Sequence, residues 1–134
     1  MPKYVSKIFV TVDVVVINKK TQEILLIKRL NEPFKDSWAL PGGFVDENED
    51  LEQAARRELF EETNIESGKM QQIGTFGKPH RDPRGHMVSV AYHTYLIENQ
   101  IVQAKDDAKE LKWFSIKKLP ELAFDHSDII SSIL

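Results

Sequence analysis

Three carboxylates, Glu58, Glu61 and Glu62, fall close together in a stretch that also carries Asp46, Glu47, Glu49 and Asp50 just upstream. Acids this close repel one another, which raises their pKa values and favours a cation between them. Oxygen-only ligands suit Mg²⁺, with Mn²⁺ as the alternative, and such ions share their remaining positions with waters and substrate phosphates. The plainer reading is a solvated acidic helix face whose charges pair with Arg56 and Arg57 at i,i+4 spacing.

To act together the acids must sit on one face of one element. Asp50 to Thr63 is built from good helix formers and contains no Gly or Pro, so the pattern predicts a helix of about four turns. The acids at its start suit the unpaired N–H groups and the positive end of the helix dipole. Leu51, Ala54, Ala55, Glu58 and Glu62 fall on one stripe, expected to face inward. Carboxylates rarely point inward without a partner. Ahead of the helix, Trp38-Ala39-Leu40 reads as a short buried strand, and Pro41-Gly42-Gly43 as a sharp turn whose bare backbone lets a carbonyl approach a metal or phosphate.

The spacing is Gly43, five residues, Glu49, seven residues, then Arg57-Glu58-Leu59-x-Glu61-Glu62-x-x-Ile65. This resembles the Nudix box, the signature of hydrolases that cleave nucleoside diphosphates linked to another moiety. At ordinary residue frequencies six such positions match by chance on the order of once in ten million trials. One position departs from the family pattern: Asn64 stands where the box usually has glycine. Asn is the next most tolerant residue for a left-handed helix terminus, which predicts an intact turn and little loss of function. The resemblance implies an α/β fold, a mixed curved β-sheet sandwiched between helices, over nearly the whole chain. It also implies Gly42 (through its carbonyl), Glu58, Glu61 and Glu62 as metal ligands, and Arg57 paired with Glu49 to orient them. Glu58, Glu61, Glu62, Arg57 and Glu49 form the expected catalytic set, with the general base left open between a box Glu and a carboxylate elsewhere.

A chain of 134 residues with 41% hydrophobic composition suits one domain with a sizeable core, expected to span residues 1–134. The net charge of −3 and the lack of a basic run argue against a nucleic-acid-binding surface. The absence of cysteine excludes disulfides and thiolate chemistry. No stretch is long enough to span a membrane, and Met1 to Ser6 does not read as a signal peptide, so a cytoplasmic protein without membrane partners is expected.

Lys7 to Ile17 alternates as a central strand, with Asp13 as its one polar oddity, either facing a ligand or bonded to neighbouring backbone. Glu23 to Arg29 completes a hairpin through the Asn18–Thr21 turn. Leu30 to Ser37 reads as a surface loop bordering a pocket. Strands are expected at Met70–Gly77, Met87–Ile97 and Glu110–Phe114, with a mobile loop from Glu98 to Lys109. Glu110, or an acid of that loop, is a candidate extra metal carboxylate. Ile116–Leu119 reads as a turn of helix. A final helix is expected from His126 to Leu134, capped by Asp125, with Ile129, Ile130, Ile133 and Leu134 inward and His126 either structural or substrate-facing.

Between the two strands, the Lys78–His86 loop carries two arginines and two histidines that either reach substrate phosphates or form a solvated hairpin tip. Pro79 and the stretches DPRGHMVSVAYHTYL and LAFDH look like the ADP-ribose pyrophosphatase branch of the family. That resemblance implies hydrolysis of ADP-ribose to AMP and ribose 5-phosphate by a homodimer. Arg29, Arg81, Asp82 and Arg84 are the expected polar contacts to this nucleotide-diphosphate substrate. Phe34, Trp38 and Phe76 are candidate base-stacking aromatics, Trp38 being equally suited to the core. The alternatives are a hydrolase of nucleoside triphosphates and a non-catalytic ADP-ribose sensor. Sensors of that kind carry a second, DNA-binding domain, for which a chain ending at Leu134 is expected to have no room.

Overall fold

The computed structural model describes residues 4–134; the first three residues of the Met1–Ser6 segment lie outside them. Strands β1 (Ile8–Asn18), β2 (Glu23–Arg29), β3 (Trp38–Ala39) and β4 (Gly42–Phe44) precede helix α1 (Leu51–Thr63). Strands β5 (Gln71–Phe76), β6 (His86–Tyr95) and β7 (Ala108–Ser115) and helix α2 (His126–Ser131) follow.

The strands form one mixed sheet of order β3-β2-β1-β6-β5, with β7 on β2 and β4 on β1. β1 is central, as its β-branched run predicts. It pairs in parallel with β6 from Ile8 to Ile17 on one side. Its other side is divided: β4 takes Thr11 to Asp13 and β2 takes Ile17 and Asn18. Two antiparallel partners leaving one strand at different points curve the sheet and leave an opening beside Asp13.

The alternation of β1 sends Val12, Val14 and Val16 to one face and Val15 and Ile17 to the other. The first set packs with Ala54, Ala55 and Leu59 of α1, and the second with Ile129 and Ile130 of α2. This is the expected α/β/α sandwich. The inward stripe of α1 includes Leu59 and Thr63, which the expected stripe omitted, while Glu58 lies at its border. A Leu side chain fully removed from water contributes about 1.5–3 kcal/mol, enough to rotate the helix toward Leu59.

Other expectations are corrected. β4 occupies what was read only as a turn, because the free edge of β1 supplies its hydrogen bonds. Ile116–Leu119 is a hydrogen-bonded turn rather than helix, closed by the Lys118 amide on the Ser115 carbonyl. α2 ends at Ser131, and Leu134 is exposed. The stretch expected to be a mobile loop is fastened to the end of α1, where the Gln103 and Lys105 amides donate to the Thr63 and Glu62 carbonyls at 2.9 Å each.

Candidate active site

A cleft of about 380 Å³ opens between β4, the middle of α1 and the loops after β5 and β7. One wall comes from the acidic helix. Glu62 is buried and its Oε1 accepts the Gly42 amide at 2.9 Å. Burial, opposed by that hydrogen bond but reinforced by Glu58, Asp107 and Asp13, pushes its carboxyl well above the usual range. Burial also raises Glu58, against the pull of Arg57. Gly43 makes this packing possible, since a Cβ there would stand 2.6 Å from the Glu58 carboxyl group.

Arg57 fixes the wall from behind. Its Nε and Nη2 donate to the two Glu49 oxygens at 2.7 and 2.9 Å, and Nη1 donates to Glu58 at 3.0 Å and Glu61 at 3.2 Å. Nη2 also reaches the Phe44 carbonyl at 3.0 Å, joining helix to β4. The Arg57 bonds and the Asp46 amide hold the Glu49 carboxyl down at about 2. Asp107 completes the acidic wall, with Asn31 Nδ2 donating to its Oδ1 at 3.3 Å. An acid of the 98–109 loop therefore enters the cleft, whereas Glu110 faces Lys28 at 4.0 Å.

The opposite wall is assembled from distant segments. Asp13 is buried; it accepts the Ser89 hydroxyl and lies 3.3 Å from His126 Nε2 and 4.0 Å from Arg81. His126 Nδ1 accepts the Leu40 amide at 3.0 Å, which leaves the ring proton on Nε2, facing Asp13. Burial works to raise Asp13, yet His126, Ser89 and Arg81 outweigh it and hold the carboxyl below its ordinary value. Arg81 forks onto Asp125 at 2.9 and 2.6 Å, so the expected helix cap is spent on a bidentate pair and makes no capping bond. Arg84 forks onto Asp82, its Nη2 at 2.7 Å, and lies 5.0 Å from the Phe44 ring and 5.6 Å from the Phe124 ring. Arg29 gives its Nε to the Pro33 carbonyl at 2.7 Å, lies 5.1 Å from the Phe124 ring and has no ion pair among the described residues.

Of the residues singled out by sequence, Gly42, Glu58, Glu62, Arg29, Arg81, Asp82 and Arg84 line this cleft, with Arg57 and Glu49 behind it. Glu61 turns to Arg57 and stays off the cleft. Trp38 packs against Phe114 at 5.0 Å in the core, Phe76 joins the same core cluster, and Phe34 lies against Phe124 at 4.7 Å; none lines the cleft. The aromatics that do are Phe44 and Phe124, which the sequence reading missed. Phe124 holds a left-handed φ of 53°, a conformation that costs a residue with a Cβ about 1–2 kcal/mol. Its place in LAFDH was the available signal. Asp13 resolves toward the cleft, bonded to side chains rather than to neighbouring backbone. His126 holds the Leu40 amide just past β3 and lines the cleft.

Among the described residues no three Asp, Glu or His side chains already converge at metal-binding geometry. The acidic wall nonetheless fits a hard divalent cation in kind: its donors are all oxygen, and burial holds the Glu58 and Glu62 carboxyls above their ordinary values, a cost that a bound cation would offset.

The family model for the NUDIX domain matches residues 7–133. An ADP-ribose pyrophosphatase of Methanocaldococcus jannaschii is 45% identical over 116 residues, 87% of this chain and 68% of that protein. An ADPR responsive transcriptional repressor, NtrR, of Acinetobacter baylyi is 36% identical over 90% of this chain and 50% of that protein. The chain thus spans about two thirds of the first relative and half of the second. The NUDIX domain of Shewanella oneidensis NrtR, solved in complex with ADP ribose, superposes with a TM-score of 0.85 at 34% identity, covering 97% of this chain and 88% of that one.

Proposed function

The chain belongs to the Nudix family of hydrolases, and from that premise we propose that it hydrolyses the pyrophosphate bond of ADP-ribose, releasing AMP and ribose 5-phosphate. The observation that carries this reading is that the cleft brings Glu58, Glu62 and Asp107 together with Arg29, a guanidinium with no ion pair among the described residues. Such a slot takes a cation on one side and a diphosphate on the other.

Glu58 and Glu62 would hold the divalent ion, Mg²⁺ or alternatively Mn²⁺, with the Gly42 carbonyl as a further donor in the family pattern; Glu61, paired with Arg57 off the cleft, would reach it only through water. A bound divalent ion supplies neutralisation of phosphate charge and a lowered pKa for water. The chain's own groups do the rest. Arg57 holds Glu58 in place, and the Gly42 amide orients Glu62. Arg29, which has no carboxylate partner among the described residues, is the guanidinium readiest to accept a phosphate. A carboxylate of the acidic wall, Glu62 or Asp107, takes the proton of the attacking water. The base stacks at the aromatic mouth near Phe124. The apolar surface at Phe9, Val10 and Phe44 suits a homodimer, which sedimentation would detect, and a cytoplasmic location accords with the cysteine-free composition.

The deciding experiment offers ADP-ribose, NADH, sugar nucleotides and nucleoside triphosphates with Mg²⁺ and follows product release. Preferential turnover of ADP-ribose is expected; turnover of triphosphates alone would replace the substrate. A second reading, an ADP-ribose sensor, is favoured by the likeness to the repressor domain. Tight binding of ADP-ribose with no product would select it.

A further inference from the structure

Asn64, the one departure from the box, does more than fill a left-handed position. Its backbone, at φ 65° and ψ 13°, closes α1 with its amide on the Phe60 carbonyl at 2.9 Å. Glycine would do this with less strain. Glycine has no side chain, however, and Asn64 Nδ2 donates to the Ile101 carbonyl at 2.9 Å. Further along, the Gln103 amide meets the Thr63 carbonyl and the Lys105 amide meets the Glu62 carbonyl. The loop therefore runs antiparallel to the end of the helix and answers carbonyls that a helix terminus leaves unpaired. On the other side of Asn64, the Gln100 side-chain amide exchanges two hydrogen bonds with the Glu66 backbone, at 2.7 and 3.0 Å. Two residues past Lys105 stands Asp107, on the acidic wall of the cleft.

We propose that Asn64 is a positioning residue: its side-chain amide, by holding the Ile101 carbonyl, sets the loop that delivers Asp107 to Glu58 and Glu62. The inference rests on the hydrolase reading for its kinetic consequence but not for its structural one. A contiguous run of bonds from Glu66 to Glu62 fixes where the loop lies, and the Asn64 side chain is the link in it that the usual glycine lacks. The residue that ends the catalytic helix thereby also places a carboxylate more than forty positions later in the chain.

Two variants separate the side chain from the turn. N64G keeps or improves the left-handed turn and removes the tether, and N64D keeps the shape but replaces the donor with an acceptor. In both, amide hydrogen exchange at Gln103 and Lys105 should accelerate about two- to tenfold, the factor carried by one hydrogen bond of ordinary net strength. With ADP-ribose and Mg²⁺, kcat should fall by a similar factor. The Mg²⁺ concentration giving half activity should rise in N64G although its thermal midpoint is unchanged or higher. In the D107N background N64G should have little further kinetic effect. Wild-type exchange at both amides in N64G and N64D would overturn the tether. Accelerated exchange with unchanged kcat and Mg²⁺ dependence, or independent effects of N64G and D107N, would overturn the delivery of Asp107. A wild-type protein that turns over nothing would defeat the hydrolase reading alone, and the exchange result would still decide whether Asn64 sets the loop.

Discussion

The two walls of the cleft handle their carboxylates in opposite ways. On the α1 wall Glu58 and Glu62 are raised chiefly by burial, with Asp107 adding to both, and the Arg57 bond to Glu58 does not offset it. On the facing wall Asp82 and Asp125 each receive a forked arginine, and Asp13 is held low by His126, Ser89 and Arg81. One wall leaves its buried acids without full counter-charge, which under the proposed function a cation would supply, whereas the other has settled its own charges. Burial of an acid alone therefore does not separate the two walls; the distinction lies in how far the protein supplies the counter-charge.

That comparison breaks most sharply at Arg81, whose side chain is only 4% exposed and which is shared by Asp125 and Asp13. Arg81→Ala strands two carboxylates and should cost about 3 kcal/mol of stability, seen as a lower urea midpoint. Glu62→Gln should do the reverse. A neutral amide is easier to bury than a carboxylate, and its oxygen still accepts the Gly42 amide, so the midpoint should hold or rise. Turnover of ADP-ribose should nevertheless fall by about 100-fold or more, since even outer partners of metal ligands commonly carry factors of 10–100. Equal loss of stability in the two variants would erase the contrast between the walls.

The same contrast explains what could be read from the sequence. The α1 wall is one contiguous stretch, so helix spacing and the box placed Glu58, Glu62 and the Arg57–Glu49 pair without tertiary knowledge. The facing wall joins Ser89 to Asp13 across 76 positions and Arg81 to Asp125 across 44, and no local periodicity encodes such pairs. Asp125 reads as a cap from its neighbours alone, and only the fold brings Arg81 to compete for it. β4 was missed because two of its three residues are glycine and only the vacant edge of β1 makes it a strand. Aromatic type does not tell core from cleft, which is why Trp38 was named and Phe124 was not. Phe124→Ala should raise KM for ADP-ribose roughly tenfold, within the range for one base stacked on one ring, while Trp38→Phe leaves KM unchanged. A KM that follows Trp38 instead would move the base to the other side of β3.

The smallest expected effect tests whether the α1 wall is held from behind. With its carboxyl at about 2 against an ordinary 4.5, Glu49 favours the folded state only while ionised. Its contribution is complete above pH 4.5 and is lost as the pH falls toward 2, because the unfolded chain takes up the proton first. Glu49→Gln should therefore flatten that part of the acid-stability curve and lower stability near pH 7 by about 1 kcal/mol, the upper end for a partly solvated pair. Arg57 would keep Glu58 and Glu61 but lose its principal anchor, so turnover should drop about tenfold, short of the loss in Glu62→Gln. If Glu49→Gln matched Glu62→Gln in activity, Glu49 would belong on the cleft face of the wall. If it changed stability alone, Arg57 would orient Glu58 without help, and the glycine that lets Glu58 close against β4 would be the element that sets the acid.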